Sequence, residues 1–219
     1  MVRIKICGIT QADQAAAVIA AGADLLGVVL APSRRQVTPQ TATEVVKAAA
    51  GHIQVVGVFV NAAADEVNTI AAVCGLSYVQ LSGDESWEYC RCIDRPLIKA
   101  VRVSPEWTPG RLAAYLEEGE RELGQGRTVY LIDTLSGTGY GGTGCTFDHR
   151  IVAVAAARFP LLIAGGLNPD NVGPVVRGLK PWGVDVSSGV ETDGEKSAAK
   201  IEAFIRVARA AAAGGNEEV

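Results

Sequence analysis

The chain has 219 residues, 48% of them hydrophobic and 5% aromatic, with a formal net charge of −4. That length suits one α/β barrel or one doubly wound domain, and the Ala-, Val-, Ile- and Leu-rich mixture suits a parallel sheet buried on both faces. An acidic balance without a long basic run speaks against a nucleic-acid surface, and no apolar stretch reaches membrane-spanning length.

Strand and helix alternate along the chain. VRIKIC (2–7) is predicted as strand 1, followed by a glycine turn and a helix presenting Ala15, Val18, Ile19 and Gly22 on one face. LLGVVL (25–30) makes strand 2. Its loop, APSRRQV, leads to a helix opening at Thr38–Pro39, with Ala42, Val45, Val46 and Ala49 turned inward. VVGVFV (55–60) is strand 3, and Asn61 is read as the cap of a helix carrying Val67, Ile70, Ala71 and Cys74. YVQL (78–81) is a short strand 4, with a weakly patterned helix around 86–92. LIKAVRV (97–103) is strand 5. Thr108–Pro109 opens helix 5, which buries Leu112, Tyr115 and Leu116. TVYLID (128–133) is strand 6, followed by a glycine-rich loop and a helix through Ile151, Val154 and Ala155. The last helix carries Ile201, Phe204, Ile205 and Ala208.

The stretch 161–191 holds the two remaining strands, LLIAGGL and GVDVSSGV. Between them Asn168 is read as an N-cap, Pro169 as the first helical position, and Val172, Val175, Val176 and Leu179 as the buried stripe. Gly165 with Gly166 and Ser188 with Gly189 leave both strand ends bare, so backbone N–H groups can converge there on an anion. Paired bare ends after strands 7 and 8 match the phosphate grip of a (β/α)8 barrel. An open doubly wound sheet would call for a Gly-rich fingerprint after strand 1 and an acidic residue closing strand 2; CGIT and Leu30–Ala31 provide neither. The expected architecture is therefore a single-domain α/β (β/α)8 TIM barrel over 1–208, with a frayed C-terminal tail over 209–219.

In such a barrel, chemistry belongs at the C-terminal strand ends. Candidates there are Cys7, Arg34 or Arg35, Asn61, Gln80, Arg102 and Asp133, while Asp185 lies inside strand 8. Cys7 sits where the chain turns toward helix 1, whose N-terminal dipole would favour a thiolate. Asp133 follows the apolar run VYLI, where desolvation would keep a carboxyl protonated. A base and an acid across one mouth suit isomerisation by proton transfer. Each residue also has an ordinary structural reading: a cysteine as a small buried hydrophobe, an aspartate as a turn residue, two arginines as a solvated pair. Five cysteines at irregular spacing suggest a reducing, cytoplasmic setting. Neither histidine stands at metal-ligand spacing from a cysteine pair, and no metal is expected. The residues alone reach a phosphate-binding α/β barrel, and no further.

KICGIT, SRRQV, VGVFVN, VQLSGDE, LIKAV, LID, GGTGCTFD, LIAGGLNPDNV and VDVSSGVE, in order from Lys5 to Glu191, together resemble the phosphoribosylanthranilate isomerase family of tryptophan biosynthesis. The resemblance implies a (β/α)8 barrel without metal or organic cofactor, acting on a small phosphosugar–anthranilate substrate as a monomer or homodimer. It implies Cys7 as general base, Asp133 as general acid and Arg35 on the anthranilate carboxylate. Gly165, Gly166, Ser188 and Gly189 fall to the phosphate, and Asp185 to the VDVSSGVE signature. One departure is Ser82, where the family commonly has histidine. The related histidine-pathway sugar isomerase uses aspartate where Cys7 stands. A non-catalytic phosphosugar-binding barrel has no need of both Cys7 and Asp133.

Overall fold

The computed structural model describes residues 1–104, 106–133 and 149–214. Eight parallel strands form a closed barrel in chain order: β1 (Arg3–Cys7), β2 (Leu25–Val29), β3 (Gln54–Phe59), β4 (Tyr78–Leu81), β5 (Leu97–Arg102), β6 (Thr128–Asp133), β7 (Leu161–Ala164) and β8 (Gly183–Val186). Around them run α1 (Ala12–Ala20), α2 (Pro39–Ala49), α3 (Ala64–Cys74), α4 (Trp87–Arg91), α5 (Pro109–Leu123), α6 (His149–Ala156), α7 (Val172–Leu179) and α8 (Ala198–Gly214). A short antiparallel hairpin, β9 (Glu191–Thr192) and β10 (Glu195–Lys196), precedes α8. The pairing of β1 with β8 closes the sheet and rules out the open doubly wound arrangement.

Strand alternation divides the apolar residues between two compartments. Leu25, Val56, Ile98, Val129, Leu131 and Leu162 form a cluster inside the barrel. Their neighbours Leu26, Val55, Tyr130 and Ile163 point outward beneath the helices. Truncating one such residue to alanine would cost about 2–5 kcal/mol, so the strands hold the C-terminal rim on a rigid base.

Local chemistry places most helix starts. Thr38 and Thr108 each accept a backbone N–H from three residues on, at 3.1 and 3.2 Å, with proline at the next position. Ser86 does the same for the short α4, which buries Trp87 and Cys90.

Three expectations are corrected. Asn168 does not cap α7: its side chain accepts from the backbone of Asp170 and Asn171, closing a local turn, and the helix opens after Asn171. Asn61 does not cap α3: it takes a left-handed conformation (φ 50°), its side-chain Oδ1 accepts from Asp84 N at 2.8 Å, and Ala63 is the cap. Nor does order end at 208. Helix α8 continues through Gly214, with Ala211 buried and Arg209 donating to the Asp24 carboxylate at 3.0 Å and to Gly22 O at 3.1 Å. Residues 215–219 lie outside the described residues, as does the glycine-rich loop 134–146 with Cys145.

Candidate active site

A cavity of about 390 Å³ opens at the C-terminal ends of the strands. Arg35, Asp133, Gly165, Gly166, Asp185, Ser188 and Gly189 all line it, so seven predicted site residues meet in one space. Gly165 and Gly166 take φ values of 93° and 61°, a region where any side chain is strained. At Gly189 a Cβ would run into the carbonyl oxygen of Leu167. The loops after β7 and β8 therefore touch backbone to backbone, and the two bare strand ends form one continuous surface.

Asp133 ends β6, half-buried, in register between Arg102 of β5 and Ala164 of β7. Gln80 also faces the cavity. Its Nε2 donates to Ser82 Oγ at 3.1 Å, while its buried Oε1 has no hydrogen-bond partner among the described residues. Ser82 thus engages a neighbouring side chain.

Cys7 closes β1 and is only 8% exposed. Its carbonyl accepts from Ser187 Oγ at 3.0 Å, which stitches the end of β1 to the loop after β8. The expected helix dipole is not what stands beside the sulfur. Helix α1 opens only at Ala12, whereas Lys5, two residues back on the same strand face, packs beside the sulfur. Both side chains pack over Gly27, where a Cβ would lie 2.8 Å from Cys7 Sγ and 3.2 Å from Lys5 Nζ. Lys5 is fully buried and pairs with Asp185 at 2.9 Å. Burial works against its charge, but Asp185 and then Cys7 outweigh it and hold the ammonium above its ordinary range.

A second charged group gathers at Glu191. Arg35 grips it through Nε (2.7 Å) and one terminal nitrogen (3.0 Å), Arg34 reaches it at 2.8 Å, and Lys196 at 2.9 Å. Burial would raise the Glu191 carboxyl, yet Arg35 and Lys196 pull it down to about 2. The same Lys196 ammonium donates to Ser187 O at 2.9 Å, and burial pushes it below its usual range despite Glu191.

Sequence reasoning missed Lys5, Glu191 and Lys196. The signals were present: Lys5 stands two residues from Cys7 in a strand, and Asp193–Gly194 is a hairpin dipeptide that sets Glu191 opposite Lys196. Among the described residues no cluster of His, Cys, Asp and Glu could hold a metal ion, and no helix is long and apolar enough to cross a membrane.

The fold and site define the class: a (β/α)8 barrel whose polar chemistry is gathered at the C-terminal strand ends. Residues 4–207 match the family model of N-(5'-phosphoribosyl)anthranilate (PRA) isomerase. The N-(5'-phosphoribosyl)anthranilate isomerase of Dehalococcoides mccartyi is 44% identical over 208 residues, 94% of each chain. The crystal structure of phosphoribosyl anthranilate isomerase from Thermotoga maritima superposes with a TM-score of 0.84 at 37% identity, covering 96% of this chain and all of that one. A phosphoribosyl anthranilate isomerase in complex with reduced 1-(o-carboxyphenylamino)-1-deoxyribulose 5-phosphate gives a TM-score of 0.80 at 35% identity, with the same coverage. The chain belongs to the phosphoribosylanthranilate isomerase family. It is accordingly an isomerase of tryptophan biosynthesis.

Proposed function

We propose that Cys7 and Asp133 are the base and acid of the Amadori rearrangement that converts N-(5-phosphoribosyl)anthranilate to 1-(2-carboxyphenylamino)-1-deoxyribulose 5-phosphate. Asp133, protonated, donates to the furanose ring oxygen. The bond from C1′ to that oxygen breaks and the nitrogen lone pair forms a Schiff base. The Cys7 thiolate then takes the proton from C2′, and those electrons neutralise the iminium as an enolamine, which tautomerises to the ketone. Each positioned proton transfer is worth about 10²–10⁴-fold in rate.

The observation that carries this reading is the common rim: Cys7 ends β1 and Asp133 ends β6, at the barrel end where the glycine-lined ends of β7 and β8 open; Asp133 lines the cavity there, while Cys7 lies buried behind it, bonded through its carbonyl to the lining residue Ser187. The bare backbone at Gly165, Gly166, Ser188 and Gly189 suits the phosphate, and the Arg35 fork suits the planar anthranilate carboxylate. Asp185 contributes through Lys5, keeping a cation beside Cys7. The enzyme works in the cytoplasm as a monomer or homodimer on this one small substrate.

The test is the fluorescence decrease as phosphoribosylanthranilate is consumed by the purified protein. Cys7→Ala and Asp133→Asn should each abolish turnover while a reduced product analogue still binds. Near-full activity in either variant would remove that residue from its role.

A further inference from the structure

Arg35 faces two ways. Its stem lies across Gly8, where a Cβ would collide with Cδ, and the residue lines both the main cavity and a smaller one of about 370 Å³ beside the β9–β10 hairpin. On the hairpin side Glu191 takes its Nε and one terminal nitrogen, a two-point grip that fixes the guanidinium plane. A guanidinium has five N–H donors, so this grip leaves donors on the other terminal nitrogen for a second carboxylate. Glu191 has a side chain only 6% exposed and is itself held by Lys196, which is 3% exposed and bonded to Ser187 O. Ser187 in turn bonds the Cys7 carbonyl. One carboxylate thus serves three cations, Arg34, Arg35 and Lys196, leaving an excess of positive charge at the mouth.

We infer that Glu191 is a positioning residue for substrate recognition. It holds the Arg35 guanidinium in the plane that receives the anthranilate carboxylate, and ties that grip through Lys196 and Ser187 to the backbone of Cys7. This rests on the reading of Arg35 as the carboxylate-binding group. A free arginine side chain would have to be ordered by each arriving substrate; one already fixed by Glu191 is ordered before binding, and the gain falls on affinity.

The experiment compares two substrates, phosphoribosylanthranilate and its aniline counterpart lacking the carboxylate, on wild type, Glu191→Gln, Arg35→Met and the double variant. Glu191→Gln should raise KM for the natural substrate about ten-fold with a much smaller change in kcat, and leave the aniline substrate untouched. Added to Arg35→Met, it should cause no further loss. Equal losses on both substrates would mean a structural role only, and an unchanged KM would overturn the inference outright. Should Arg35→Met itself spare the natural substrate, the carboxylate assignment fails, a result separable from the Glu191 outcome. Glu191→Asp, which keeps the charge at shorter reach, should give an intermediate KM for the natural substrate; the same KM as wild type would count against the inference even if the glutamine variant does not fold.

Discussion

Lys5 and Asp185 stand side by side in the register of β1 on β8, and their side chains meet at 2.9 Å with the ammonium fully buried. They are far apart in sequence, and only closure of the barrel brings them together. Through Lys5, β1 turns a fully buried ammonium into the barrel beside Cys7.

Removing one partner strands the other charge in the interior. Lys5→Met should therefore destabilise the protein by about 3–5 kcal/mol. Adding Asp185→Leu should restore most of that stability without restoring turnover, since the cation beside Cys7 is still missing. Urea denaturation of the three proteins checks this; a single variant as stable as wild type would refute it. The raised Lys5 value also fixes the sign with pH. Its contribution is complete below 10.5 and is lost only as the pH rises through the higher folded value.

A second buried pair should behave likewise without touching chemistry. Lys99 Nζ lies 2.8 Å from Glu85, whose other oxygen accepts the backbone N–H groups of Asn61 and Gly83 at 2.8 and 3.2 Å. Burial would raise the Glu85 carboxyl, but Lys99 and the Asn61 amide hold it below the usual range. Glu85→Ala should cost about 3–5 kcal/mol and loosen the loops after β3 and β4. Hydrogen exchange at the Asn61 and Gly83 amides reports the second effect; unchanged protection there would contradict it.

Acid should weaken the fold through Glu191. Its folded value, about 2, lies below the ordinary 4.5, so its contribution is present above pH 4.5 and disappears as the pH falls to about 2. Discounted for solvent screening around this rim cluster, the amount is on the order of 1–2 kcal/mol. Thermal melts of wild type and Glu191→Gln across that window should converge at the acid end. Parallel curves would show that the charge contributes nothing.

Gly189, in the proposed phosphate loop, has no room for a side chain. In Gly189→Ala the new methyl must push the β8 loop away from Leu167 O. We expect KM to rise by about ten-fold or more, with the far-ultraviolet circular dichroism unchanged. A KM equal to that of wild type would mean the phosphate sits elsewhere.

Much of the barrel was legible from local signals. Thr38–Pro39 and Thr108–Pro109 announce helices by capping that involves only near neighbours, and β4 and β6 begin and end where YVQL and TVYLID do. Where a side chain had rival partners, local reading failed. Asn61 bonds Asp84 across two loops instead of capping its own helix, and Asn168 closes a turn three residues early.

The sequence by itself determined the alternation of strand and helix and the strand-end positions of Cys7, Asp133 and the paired glycines, because periodicity, capping and bare strand ends are short-range properties. Only the tertiary structure decided which charges surround them. Lys5 with Asp185, and Arg35 with Glu191, are partners fixed by strand register and loop packing across the closed barrel. In a buried setting, that pairing sets which groups stay charged and which way they face.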